Sequence, residues 1–148
     1  MIPSPVLKYL ILNKAKDAEA LFKNGRYAAS IYLAGYAAEI ALKNKICSTL
    51  QFNLGFPETR QELSGYLQHI NRNSPAPLII SLGEIRNHDL AKLLFYSGAE
   101  LRIQSIFYKE WNIVKKWDPE KRYKKTRVTR LKNLEYLQAL KKIIKEIT

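Results

Sequence analysis

Apolar residues recur at helical spacing from the first turn of the chain onward. Val6, Leu7, Leu10, Ile11, Ala18, Leu21 and Phe22 fall on one face of a helix that Ser4-Pro5 is suited to open. Serine can cap, and proline at a first helical position loses no hydrogen bond. Asn24-Gly25 ends this helix, because both residues tolerate left-handed backbone. A second helix over 26–49 carries the stripe Ala28, Ile31, Tyr32, Gly35, Ala38, Leu42 and Ile46. The small residues Ala29, Ala34, Gly35, Ala37, Ala38 and Ala41 let another helix backbone approach closely. Joined at Asn-Gly, the two helices form an antiparallel hairpin.

The middle of the chain is punctuated by Gly55, Pro57 and the run Asn73-Ser74-Pro75-Ala76-Pro77. Between these breaks, 58–70 predicts one short helix, polar on most sides. Residues 78–86 and 89–97 read as two short helical pieces, with Asn87 placed to cap the second and Asp89 near its positive end. The stretch 100–117 predicts a long helix bearing Leu101, Ile103, Ile106, Phe107, Trp111 and Val114, ended by Asp118-Pro119. The basic stretch 121–130 is a loop or a frayed helix start. A last amphipathic helix carries Leu131, Leu134, Leu137, Leu140, Ile143, Ile144 and Ile147. No strand-like alternation, internal repeat or linker stands out. The expected fold is all-α: one domain over 1–148, a bundle of five to six helices built on the N-terminal hairpin.

Composition sharpens this. A hydrophobic share of 47% in 148 residues is that of an ordinary globular domain with a real core. The longest weakly polar stretch, 28–38, stops at Glu39 and is far too short for a bilayer, so no membrane partner is expected. The first five residues lack the basic region and cleavage site of a secretory signal. The single cysteine, Cys47, fits a reducing, cytoplasmic setting. Cys47, His69 and His88 share no ligand spacing, so neither a metal nor another cofactor is expected. The net charge of +12 changes the picture most, since it favours polyanionic partners such as RNA. It is concentrated: Lys115, Lys116, Lys121, Arg122, Lys124, Lys125, Arg127, Arg130 and Lys132 face only Asp118 and Glu120 in that stretch.

The sequence RYAASIYLAGYAAEIALK over 26–43 resembles the second helix of HEPN domains, with its small-residue stripe, glutamate and Leu-Lys ending. His88-Asp89-Leu90, followed by Leu93-Leu94, resembles the His-Asp-Leu segment that opens a later helix in that family. Trp117-Asp118-Pro119-Glu120 with Arg122-Tyr123 resembles a tryptophan and Arg-Tyr element near the end of some members. The three occur in family order across most of the chain. The resemblance implies a stand-alone prokaryotic HEPN protein of a defence or toxin–antitoxin system, homodimeric, with RNA or a nucleotidyltransferase or nuclease as partner. Active members are metal-independent ribonucleases with an arginine, a polar residue and a histidine four to six residues on. A histidine can move the proton of a ribose 2′-hydroxyl, and arginine can stabilise charge on the phosphate.

Arg86-Asn87 matches the first half of that motif, but Ala91, Lys92 and Leu93 stand where its histidine is expected, and His88 follows Arg86 by two residues. The reading is therefore of a protein that binds RNA or a nucleotide-bearing partner through Arg86, His88, Arg122, Tyr123, Lys124, Lys125, Arg127 and Arg130. One alternative is an endoribonuclease using Arg86 and His88. The other is an inactive scaffold subunit. A second family pattern, arginine with tyrosine six residues on, is met at Arg26/Tyr32, Arg60/Tyr66 and Arg102/Tyr108, too often to discriminate.

Each candidate has a structural alternative. His88 and Asp89 are site residues or a helix-start element. Arg86 is a site residue or pairs with Glu84 or Asp89. Glu39 is a general base or a partly buried contact to an arginine or tyrosine, and Lys43 is its i,i+4 partner. Arg122 binds phosphate while Tyr123 stacks on a base, or Tyr123 packs on Trp117 at a corner. Trp111 and Trp117 are expected in the core or an interface.

Overall fold

The computed structural model describes residues 1–68, 81–123 and 127–148, the side chains of 122 and 123 excepted. It is helical: α1 Ser4–Lys23, α2 Tyr27–Thr49, α3 Arg60–Leu67, α4 Leu82–Ile85, α5 Leu90–Tyr96, α6 Glu100–Ile106, α7 Tyr108–Val114, a 3-10 turn Pro119–Tyr123, and α8 Arg130–Ile147. The one pairing of extended backbone among the described residues is an isolated bridge between Ile2 and Phe56. No helix among them is long and apolar enough to cross a membrane.

The hairpin forms as the pattern requires. Asn24 closes α1, Gly25 takes φ +72°, and Gly25 N and Arg26 N donate to Phe22 O and Leu21 O at 3.0 and 2.9 Å. These bonds satisfy carbonyls that the helix end would otherwise leave open. The second helix is the core of the molecule. It buries residues on nearly all sides, among them Ala34, Ala37, Ala38, Leu42 and Ile46, because α1, α5 and α8 all pack on it. At a junction of three helices, Ser30 Oγ donates to Ala18 O at 2.7 Å and accepts from Asn133 Nδ2 at 3.1 Å. One turn further along α8, Tyr136 Oη donates to Val114 O at 3.3 Å and ties α8 to α7.

Several expectations are corrected. The α1 helix begins at Ser4 with Pro3 as its N-cap and no side-chain cap, so serine is its first residue and not the capping one. Residues 100–117 are not one helix: the chain breaks at Phe107 (φ −116°, ψ 30°) into α6 and α7. With α4 a separate turn, the described residues hold eight α-helices and not five or six. Ala28, placed on the buried stripe of α2, is exposed. Trp111 and Trp117 are buried, as expected. Residues 69–80, which include His69 and the Asn-Ser-Pro run, and Lys124 and Lys125 lie outside the described residues.

Candidate functional site

Four residues of α2, Tyr32, Tyr36, Glu39 and Lys43, are spaced i, i+4, i+7, i+11 and share one face. Glu39 is only 4% exposed, and its carboxylate accepts two charge-assisted hydrogen bonds. Lys43 Nζ donates to Oε1 at 2.6 Å, and His88 Nδ1 lies 2.8 Å from Oε2. The partner is thus a histidine 49 residues away, and not an arginine or tyrosine. The Glu39–Lys43 pair is the expected i,i+4 contact.

A stapled turn brings His88 to α2. Asn87 Nδ2 donates to Gly83 O and Glu84 O at 3.2 and 2.7 Å, and its Oδ1 accepts from Asp89 N at 2.8 Å. Asp89 then caps α5, its Oδ1 accepting from Ala91 N and Lys92 N at 2.9 and 3.1 Å. Asp89, not Asn87, is the N-cap of α5. Asn87 stabilises the turn before it. Between the two, the His88 ring meets the Tyr36 ring edge-on, with centroids 6.2 Å apart.

The His88 side chain is 56% exposed, and its Nε2 makes no hydrogen bond among the described residues. With the proton on Nδ1 donated to Glu39, Nε2 presents a lone pair to solvent. A buried carboxylate orienting an exposed imidazole is an arrangement for proton transfer. Arg86 stands two residues before, exposed, with no ion pair among the described residues. It does not pair with Glu84, whose Oε1 accepts from Tyr96 Oη at 2.8 Å while Oε2 caps Ser81 N at 2.8 Å. Burial and Glu84 together push the Tyr96 hydroxyl up, so it stays the donor. Cys47 is no competing nucleophile: burial pushes its thiol up to about 12. Among the described residues no three His, Cys, Asp or Glu side chains converge.

The aromatic strip continues away from His88. Tyr36 packs edge-on against Trp117 at 5.1 Å, and Trp117 Nε1 donates to Tyr32 O at 3.2 Å. The indole lies directly on Gly35, where a Cβ would come within 2.0 Å of it. Small residues were expected to admit a helix backbone; at Gly35 they admit a tryptophan ring. Past Trp117 opens a groove of about 810 Å³ between α2, α7, the 3-10 turn and α8. Nothing in the hydrophobic pattern announces it, since its lining is drawn from four separate segments.

Of the remaining predicted residues, Arg127 and Arg130 are exposed and do not line this groove, Arg130 lying with its guanidinium 5.7 Å from the Phe22 ring. Arg122 and Tyr123 close the 3-10 turn, their side chains outside the description. No protein-family model matches the chain, and neither a curated protein nor a solved structure does.

Proposed function

We propose that this chain is a HEPN-type protein that binds RNA and cleaves it without a metal, His88 moving the proton and Glu39 holding His88 in place. The observation that carries this reading is the 2.8 Å contact between buried Glu39 and His88 Nδ1, with Nε2 turned to solvent. His88 Nε2 takes the proton of a ribose 2′-hydroxyl, the 2′-oxygen bonds to phosphorus, and the P–O5′ bond breaks. The 5′-oxygen leaves as a hydroxyl with a proton taken from solvent water, His88 gives its own back to solvent, and a 2′,3′-cyclic phosphate remains. Arg86 and the exposed cations Lys116, Lys121, Arg127, Arg130 and Lys132 supply the field that draws in the strand. The defence or toxin–antitoxin setting, the homodimer and a nucleotidyltransferase partner rest on the resemblance to HEPN proteins.

A second reading, RNA binding without cleavage, is favoured by the absence of a histidine at 91–93. One experiment separates the two. Labelled tRNA and mixed RNA are incubated with chelator and with wild type, His88→Ala or Glu39→Gln, and binding is measured in parallel. Cleavage is expected from the wild type and lost by about 10²- to 10⁴-fold in His88→Ala, with the RNA affinity of that variant unchanged. Glu39→Gln is expected to lower the rate and to move the His88 ring proton from Nδ1, read in long-range ¹H–¹⁵N spectra. Binding with no cleavage by any form establishes the second reading.

A further inference from the structure

We propose that the groove between α2, α7, the 3-10 turn and α8 is a binding site for one unstacked nucleotide, held by its flat base and its phosphate. The volume of about 810 Å³ lies within the range of small-molecule sites, about 300–1,000 Å³. Its α2 wall carries Ala28, Ala29, Ile31 and Tyr32, the two alanines leaving a shelf with nothing beyond a methyl group, and the buried Trp117 indole also lines the groove. A flat ring fits such a shelf better than a branched chain does.

The mouth selects for charge. Lys116, Lys121 and Lys132 line it, all three exposed and none in an ion pair among the described residues. Lys121 Nζ gives one hydrogen to Lys116 O at 2.9 Å and keeps the others for a ligand. Two carboxylates, Asp118 and Glu135, also reach the groove, which leaves the three lysines one positive charge in excess. Asp118 is engaged by Glu120 N at 2.9 Å, so Glu135 is the acceptor offered to a base amino group. Flat apolar body, exocyclic donor and anionic group together describe a nucleoside phosphate.

Position ties the groove to the Glu39–His88 pair. Tyr36 touches His88 on one side and Trp117 on the other, at 6.2 and 5.1 Å between centroids, so one aromatic wall separates the two sites. On the reading above, a base turned out of the strand enters the groove while its neighbour lies at His88. This placement rests on that reading, whereas the nucleotide chemistry of the groove does not.

The test uses the full chain carrying Trp111→Phe, so that Trp117 is the one remaining tryptophan. The four nucleoside 5′-monophosphates and a single-stranded hexaribonucleotide are titrated against its emission. Saturable change is expected, weakened about ten-fold or more by Ala28→Phe, which fills the shelf without adding a second indole, and by Lys132→Glu, which reverses a phosphate contact. Both positions are exposed, and Lys8→Glu on the outer face of α1 is expected to bind within two-fold of its parent. Response to the hexamer alone places the nucleotide within a strand, and response to monophosphates as well identifies a site open to free nucleotide. No response to either, or binding by Ala28→Phe equal to its parent, overturns the proposal. The titration of free monophosphates needs no cleavage, so a failed cleavage assay and a failed groove are read separately.

Discussion

A Cβ at residue 35 would lie 2.0 Å from the Trp117 indole, far inside any contact that real side chains make. Gly35→Ala must therefore push the indole off α2, and with it the hydrogen bond from Trp117 Nε1 to Tyr32 O. Overpacking of this kind costs about 1–3 kcal/mol, and the rigid ring against a helix backbone puts this site at the upper end. We expect a lower denaturant midpoint at unchanged slope, with red-shifted tryptophan emission in the folded state. Glu39 shows the same economy of position. Only 4% exposed, it is tolerated there because Lys43 and His88 both donate to it. Neither donor could be replaced by an apolar residue without leaving a carboxylate buried and short of a partner.

Among the elements, α5 depends on a two-residue relay in which Asn87 holds the turn and Asp89 caps the helix. Asp89→Ala is expected to cost about 1 kcal/mol of stability and also to loosen His88, which lies between the two. Cleavage is expected to fall more than the population of folded protein does, a difference visible when activity and circular dichroism are followed together. The sequence identified both residues but assigned the cap to Asn87, because two Asx residues two apart are equally able to cap and only the fold chooses between them. Similar reasoning separates what was legible from what was not. The α1–α2 hairpin was plain, since Asn24-Gly25 and the alanine-rich face are local signals. The break at Phe107 was hidden, since no glycine or proline marks it. Glu39 and His88 were both named, yet their pairing spans 49 residues, and no local pattern reports a contact formed only when α5 docks on α2. The groove was invisible for the same reason.

The whole molecule is strongly basic, at +12; Lys116, Lys121 and Lys132 line the groove, Arg127 and Arg130 are exposed on the segment that follows the 3-10 turn, and none of the five forms an ion pair among the described residues. Binding of single-stranded RNA by these five cations predicts a slope of about −3 to −4 in a plot of log K against log salt. A Lys121→Glu, Lys132→Glu double variant should flatten it by about 1.4, whereas Lys8→Glu should not, and filter binding over a salt series measures both. The interruption at Phe107 acts on the bundle as a whole in a different way. It divides an otherwise continuous helix so that α6 is attached through one buried residue, Ile103, and the exposed pair Arg102–Glu146, while Leu101 is 82% exposed. With so little holding it, α6 can lift away as a unit while α7 stays docked on α8. We expect its amides to trade protons with solvent through a local opening, before those of α2, which should be released only when the entire bundle comes apart; hydrogen exchange followed by residue checks the order.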